Sequence, residues 1–170
     1  MSHKLRFGKQ ENGELEAYVD SAYANSTGSR STSANVFTLY GNPVSWSSRK
    51  ESIVAQSSTE AEYVALADAM KQMIWIRHFL STVWKLEKMS TVLLENNQGA
   101  IKLSGNPGYH SKTKHIQVRY HAIRDAVSNG NVRVQYKPNQ AHDCRFTNER
   151  TKAVGKETMD RLVGQVGLKT

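Results

Sequence analysis

Two carboxylates stand where a fold could bring them together. Asp20 closes the alternating run Leu15-Glu16-Ala17-Tyr18-Val19-Asp20, which reads as a strand. Glu62 lies in Ser57-Ser58-Thr59-Glu60-Ala61-Glu62-Tyr63-Val64-Ala65-Leu66, which reads as the start of a helix. A carboxylate at a strand end facing one near a helix start brings hard oxygen ligands from distant segments to one point. That is how a fold assembles a magnesium site, and such a site points to phosphodiester chemistry. The charge of the chain agrees, since 23 Lys and Arg outnumber 15 Asp and Glu for a net +8. A surplus of this sign favours anionic partners, nucleic acid first.

The rest of the composition narrows the classes. The single cysteine, Cys144, excludes an internal disulfide and a thiolate metal cluster, which suits a reducing, intracellular setting. The first nine residues lack the apolar run of a signal peptide, and no segment is apolar for long enough to span a membrane. At 170 residues the chain is expected to form one domain with a sizeable core, residues 13–170, after a tail at 1–12.

The elements that must position the acids follow from periodicity and turn signals. Strands are expected over Leu15–Ala22, Ser33–Tyr40 and Val44–Ser48, with Gly41-Asn42-Pro43 as the second turn. Three strands with short links make an antiparallel meander. From Ser57 to about Leu86 apolar residues fall at helical spacing, and Ser57 with Glu60 fits a capping box. Trp75, Phe79 and Trp84 are expected to pack in the core. A short strand at Val92–Asn96 precedes helices at Asn97–Leu103 and Thr113–Val127. A last strand at Val132–Tyr136 leads through a polar loop to a terminal helix ending near Val166.

Four blocks resemble one family. They are Arg30-Ser31-Thr32-Ser33 with Pro43-Val44-Ser45-Trp46-Ser47-Ser48-Arg49-Lys50; Ser57 to Leu66; Asn106-Pro107 through His110-Ser111-Lys112-Thr113-Lys114-His115-Ile116 to Tyr120-His121 and Arg124; and Thr151-Lys152-Ala153-Val154. Together they are similar to the ribonuclease H domain of Copia-type LTR retrotransposon polyproteins. The resemblance implies an α/β ribonuclease H-like fold, a mixed five-stranded sheet of antiparallel meander plus parallel strands, flanked by helices. It implies Mg2+ or Mn2+ as cofactor, an RNA/DNA hybrid as substrate, and reverse transcriptase as a neighbour within a polyprotein.

In that family four acids hold two metal ions that activate water and stabilise the leaving oxygen. Asp20 matches the first. Glu62 is preferred over Glu60 for the second, because Glu62-Tyr63-Val64-Ala65 fits the pattern and Glu60 already serves the cap. Asp20 and Glu62 are therefore the expected metal ligands. The third acid precedes Asn-Gln; here Asn97-Gln98 matches, which puts Asn96 at the acid's position. Glu95 is not expected to replace it, because neighbours in a strand point to opposite faces, away from Asp20. The fourth position falls on Asn148, counted back from Thr151-Lys152, with Asp143 as the alternative if the loop before it shifts the alignment. Asparagine offers an oxygen without charge, so metal affinity should be reduced and cleavage impaired.

Around these acids, Asn25, Thr32 and Gln98 are candidates for contact with the hybrid, and Lys112, Lys114 and Arg119 for a basic edge facing phosphates. His110, His115 and His121 do not share a helical face, which argues against zinc. Two functions are compatible with this pattern: an impaired magnesium-dependent endoribonuclease, or a catalytically inactive, domesticated domain that kept a nucleic-acid-binding or protein-interaction role.

Overall fold

The computed structural model describes residues 14–85, 91–105 and 114–138. The strands are β1 (Leu15–Ser26), β2 (Arg30–Leu39), β3 (Asn42–Lys50), β4 (Thr91–Glu95) and β5 (Arg133–Tyr136). The helices are α1 (Ser58–Trp84), α2 (Gln98–Gly105) and α3 (Lys114–Ser128). They build one five-stranded sheet in the order β3-β2-β1-β4-β5. The first three strands pair antiparallel, while β1–β4 and β4–β5 pair parallel. This is the mixed sheet expected from the sequence.

The meander runs further than its apolar core. β1 continues to Ser26, and β2 begins at Arg30, so most of the polar stretch read as a loop is the tip of a hairpin. Gly28 and Ser29 turn it with φ of 77° and 54°. The second turn falls on Tyr40 and Gly41, both at positive φ, one residue earlier than expected. Two consecutive positive φ values give the turn the twist that antiparallel neighbours require. Asn42 supports it by donating Nδ2 to the Tyr40 carbonyl at 2.8 Å. Pro43 is tolerated because β3 is the sheet edge.

α1 starts at a Ser57 N-cap, whose hydroxyl accepts from the Glu60 amide at 3.2 Å. Glu60 reaches back to the Gln56 amide at 2.7 Å, one residue beyond the reciprocal partner of a standard capping box. Residues 61 to 67 are all buried against the sheet. Leu15, Ala17, Val19 and Leu93 share this core with Leu66, Met70 and Met73. Tyr18, Val92 and Leu94 form a separate cluster on the opposite face. The expectation for three aromatics of α1 is corrected: Trp75, Phe79 and Trp84 are 64%, 48% and 59% exposed. The line of Leu66, Met70, Met73, Ile76 and Leu80 fills the face toward the core, and Trp75 and Phe79 lie off that line. Trp84 points the right way but ends the helix, where Lys85 caps it in a left-handed conformation.

A candidate carboxylate site at the ends of β1 and β4

The parallel register places the first two site residues. Leu15 pairs with Thr91 and Tyr18 with Leu94, so two residues further on Asp20 stands opposite Asn96. The side chains meet: Asn96 Nδ2 donates to Asp20 Oδ1 at 3.0 Å. Asp20 is buried, and the start of α1 leans over it. Glu62 is 7% exposed and accepts a hydrogen bond from the Ser21 backbone amide. Asp20, Glu62 and Asn96 therefore converge at one end of the sheet, and Glu62, rather than Glu60, sits beside Asp20.

Glu95 belongs to this group, contrary to the expectation that it lies apart. The parity argument holds: Leu93 packs under α1, so Glu95 points to the same face and Asn96 to the other. That face, however, is where Glu62 arrives. Glu95 is fully buried, and its Oε1 accepts from the Asn96 and Asn97 amides, both at 2.9 Å. It thus secures the entry to α2, where Asn97 Oδ1 also accepts from the Ala100 amide at 3.0 Å. Gly99 sits so close to Thr59 that an added Cβ would approach the Thr59 Cγ2 to 3.0 Å, which keeps α2 tight against α1.

Glu51 is a further acid that the sequence reading missed. It is 4% exposed just beyond β3. One of its oxygens accepts from Ser33 Oγ at 2.6 Å and from Ser21 Oγ at 3.2 Å, while its amide donates to the Ser31 carbonyl. An acid directly after Arg49-Lys50 carried no pattern to mark it. Beside it opens a cleft of about 200 Å³ lined by Ser33, Arg49, Lys50, Glu51, Ser52 and Asp68, with Arg49 paired to Asp68 at 2.9 Å.

Crowding of acids has a direct electrostatic consequence. Burial, then the charges of Glu95 and Asp20, push the Glu62 carboxyl up to about 10, with a smaller push from Glu51, against the opposing bond from the Ser21 amide. Burial raises Glu95 to about 8, helped by Asp20 and opposed by the Asn97 and Asn96 amides. Glu62 Oε2 and Glu95 Oε2 are both buried without a hydrogen-bond partner. Burial and the neighbouring carboxylates therefore favour a proton shared among Glu62 and Glu95, which relieves mutual repulsion of the acids.

The residues present do not fit a preformed two-metal site. The Asn96 amide nitrogen faces the Asp20 carboxylate, where a third carboxylate would share a cation. Among the described residues no three acidic, histidine or cysteine side chains are grouped to hold a metal ion. Asn148 and Asp143 lie outside the described residues, as does Lys112.

Of the nucleic-acid candidates, Asn25 and Thr32 meet across the first hairpin, where Thr32 Oγ1 donates to Asn25 Oδ1 at 2.8 Å. Gln98 is exposed at the start of α2, close to Asn96 in sequence. Lys114 opens α3 and Arg119 lies within it. No helix among the described residues is long and apolar enough to cross a membrane.

Known proteins with this sequence or fold are informative. The Pol polyprotein of the tobacco transposon TNT 1-94 is 40% identical over 121 residues, 71% of this chain and 9% of that protein. The Pol polyprotein of the Arabidopsis transposon RE1 is 32% identical over 168 residues, 98% of this chain and 11% of that protein. The chain is homologous to a segment of Copia-type retrotransposon Pol polyproteins. It spans about a tenth of the length of the curated relatives it matches. No protein-family model matches it. Among solved structures, LC11-RNase H1 from compost superposes with a TM-score of 0.59 at 17% identity, covering 88% of this chain and 97% of that one. The foamy viral protease–reverse transcriptase in complex with an RNA/DNA hybrid gives 0.58 at 13% identity, covering 87% of this chain and 21% of that one. These likenesses carry the ribonuclease H fold of the domain.

Proposed function

We propose that this domain is a retrotransposon-type ribonuclease H whose cleavage of the RNA strand of RNA/DNA hybrids is impaired. The observation that carries the reading is the Asn96 amide bonded to Asp20 at 3.0 Å, beside a buried Glu62. The reading takes Asp20, Glu62 and Asn96 as the counterparts of three ribonuclease H acids, with the chemistry weakened by the neutral amide. Divalent cations, Mg2+ or Mn2+, are the cofactor that membership of the family implies, held through Asp20 and Glu62. With a neutral amide at Asn96, and another at Asn148, two cations lack the negative charge that would hold them tightly. What the chain itself supplies is one buried carboxylate at Asp20 and a Glu62 that must lose its proton before it can act as a ligand.

The substrate is a hybrid, approached through phosphates by a +8 chain. Asn25, Thr32, Gln98, Lys112, Lys114 and Arg119 are the proposed contacts, and reverse transcriptase within a polyprotein is the proposed neighbour in an intracellular setting. The amide at Asn96 also favours a second reading, an inactive domain that retains only binding.

Cleavage of an end-labelled RNA/DNA hybrid in Mg2+ separates the two. Slow, RNA-strand-specific cutting that Asp20→Asn abolishes supports the impaired enzyme. Hybrid binding without any cutting, in Mg2+ or Mn2+, leaves the binding role.

A further inference from the structure

One buried acid beside the site is not among the acids of the proposed chemistry. Glu51 lies just beyond β3, and its Oε1 accepts from Ser33 Oγ at 2.6 Å and from Ser21 Oγ at 3.2 Å. Ser21 and Ser33 are direct partners in the β1–β2 ladder, so a single oxygen clasps the two strands together. The Ser33 bond is at the short, strong end of the range for hydroxyl donors. The Glu51 amide donates to the Ser31 carbonyl at 2.8 Å, which ties the glutamate's own backbone to β2. The clasp is therefore anchored at both ends.

What it holds is the peptide between the two site carboxylates. Ser21 directly follows Asp20, and the Ser21 amide donates to Glu62. The sheet gives this peptide little support of its own. β1 pairs with β4 as far as Tyr18, opposite Leu94. Its pairing with β2 turns irregular between Ala22 and Ser26, where Ala24 has a φ of 48°. A positive φ at a residue with a Cβ bends the strand out of its regular path. Ser21 thus stands past the parallel pairing and one residue before the irregular stretch. Rotation of its peptide would turn the amide away from Glu62 and carry the Asp20 side chain with it. The Ser21 hydroxyl is the handle through which Glu51 resists that rotation.

We propose that Glu51 is a positioning residue for the carboxylate site: by accepting the Ser21 and Ser33 hydroxyls it fixes the Ser21 peptide, whose amide holds Glu62 beside Asp20. The role needs one oxygen with two lone pairs and does not need a charge. Glutamine can supply that oxygen, and alanine cannot. Holding a site residue through a neighbour's hydrogen bonds is how a fold keeps a functional group in place. This role deepens the proposed function and rests on it for what the site does, whereas the hydrogen bond it concerns can be followed without hybrid or metal.

Amide hydrogen exchange of the 170-residue chain, followed residue by residue by NMR in metal-free buffer, tests it. Exchange at residue 21, corrected for local sequence, is normalised to Ala17 and Leu93, whose strands are paired on both sides and report any general loss of stability. Glu51→Ala should raise the normalised rate tenfold or more, close to that of Glu62→Ala, which removes the acceptor itself. Glu51→Gln should raise it less than threefold. Ser21→Ala leaves Glu51 bonded to Ser33 but cuts the link to the peptide, and should reproduce the rise in a protein with its buried acids intact. Failure of the parent to cut hybrid bears on the proposed function alone, because exchange is measured without hybrid or metal. Equal acceleration at residues 17, 21 and 93 in Glu51→Ala overturns the proposal and leaves Glu51 a structural role. Full protection of residue 21 in Ser21→Ala overturns it too, as does glutamine behaving like alanine, which would assign the effect to charge.

Discussion

Replacing Glu62 by glutamine should stabilise the protein at neutral pH, although it removes a site residue. Glu62 is raised from 4.5 to about 10 in the folded state, chiefly by burial and then by Glu95 and Asp20. The folded state therefore binds more protons than the unfolded chain from about pH 4.5 upward. The stability is fully present below that pH and is lost progressively as the pH rises toward the folded value. Each pH unit above the ordinary value costs about 1.4 kcal/mol, so the loss approaches about 3 kcal/mol at pH 7. Relaxation around the charge and sharing of protons with Glu95 reduce this, so a gain of about 1–3 kcal/mol is expected for Glu62→Gln. Glutamine is neutral at every pH and close in size to the protonated acid, with two N–H donors in place of its one O–H. Urea unfolding of parent and variant at pH 5, 7 and 8.5 is the assay. The curves should nearly coincide at pH 5 and separate with rising pH, the variant falling less steeply. A variant that is less stable at pH 8.5, or that shows the parent's slope, would refute the account of a proton held among buried acids.

Other consequences are simpler to check. Glu51→Ala leaves the buried Ser33 and half-buried Ser21 hydroxyls without their acceptor and should cost about 2 kcal/mol in urea unfolding. Ser57→Ala removes the α1 cap and should cost about 1 kcal/mol in the same measurement. Hybrid binding should weaken about tenfold or more between 50 and 200 mM salt, as expected for several phosphate contacts, and should persist in Asp20→Asn. A fluorescence-anisotropy titration that is flat with salt would remove the phosphate-based reading.

Much of this architecture was legible in the residues. The alternation before Asp20, the cap at Ser57 and the turn signals gave all eight described elements in order, and the register of β1 on β4 makes the meeting of Asp20 with Asn96 unavoidable. What escaped was three-dimensional. Strand parity gives Glu95 its correct face; only the path of α1 over that face reveals Glu62 beside it. Glu51 acquires its place from the Ser21 and Ser33 hydroxyls on neighbouring strands, contacts no local pattern encodes. Residue type alone places Trp75 and Phe79 in the core, whereas their angular position on α1 decides their exposure.

The central claim is that asparagine at the end of β4, and not the fold, limits catalysis here. Asn96→Asp tests it most directly, because the change restores charge beside Asp20 with almost no change in size. Initial rates of RNA-strand cleavage in an RNA/DNA hybrid, at saturating Mg2+ and Mn2+, would be compared for the parent, Asn96→Asp and Asn96→Asp/Asp20→Asn. The account predicts a rate near background for the parent, a rise of about tenfold or more for Asn96→Asp, equivalent to at least ~1.4 kcal/mol of transition-state stabilisation, and its loss in the double variant. A parent that already turns over hybrid readily, with Asn96→Asp no faster, would contradict it.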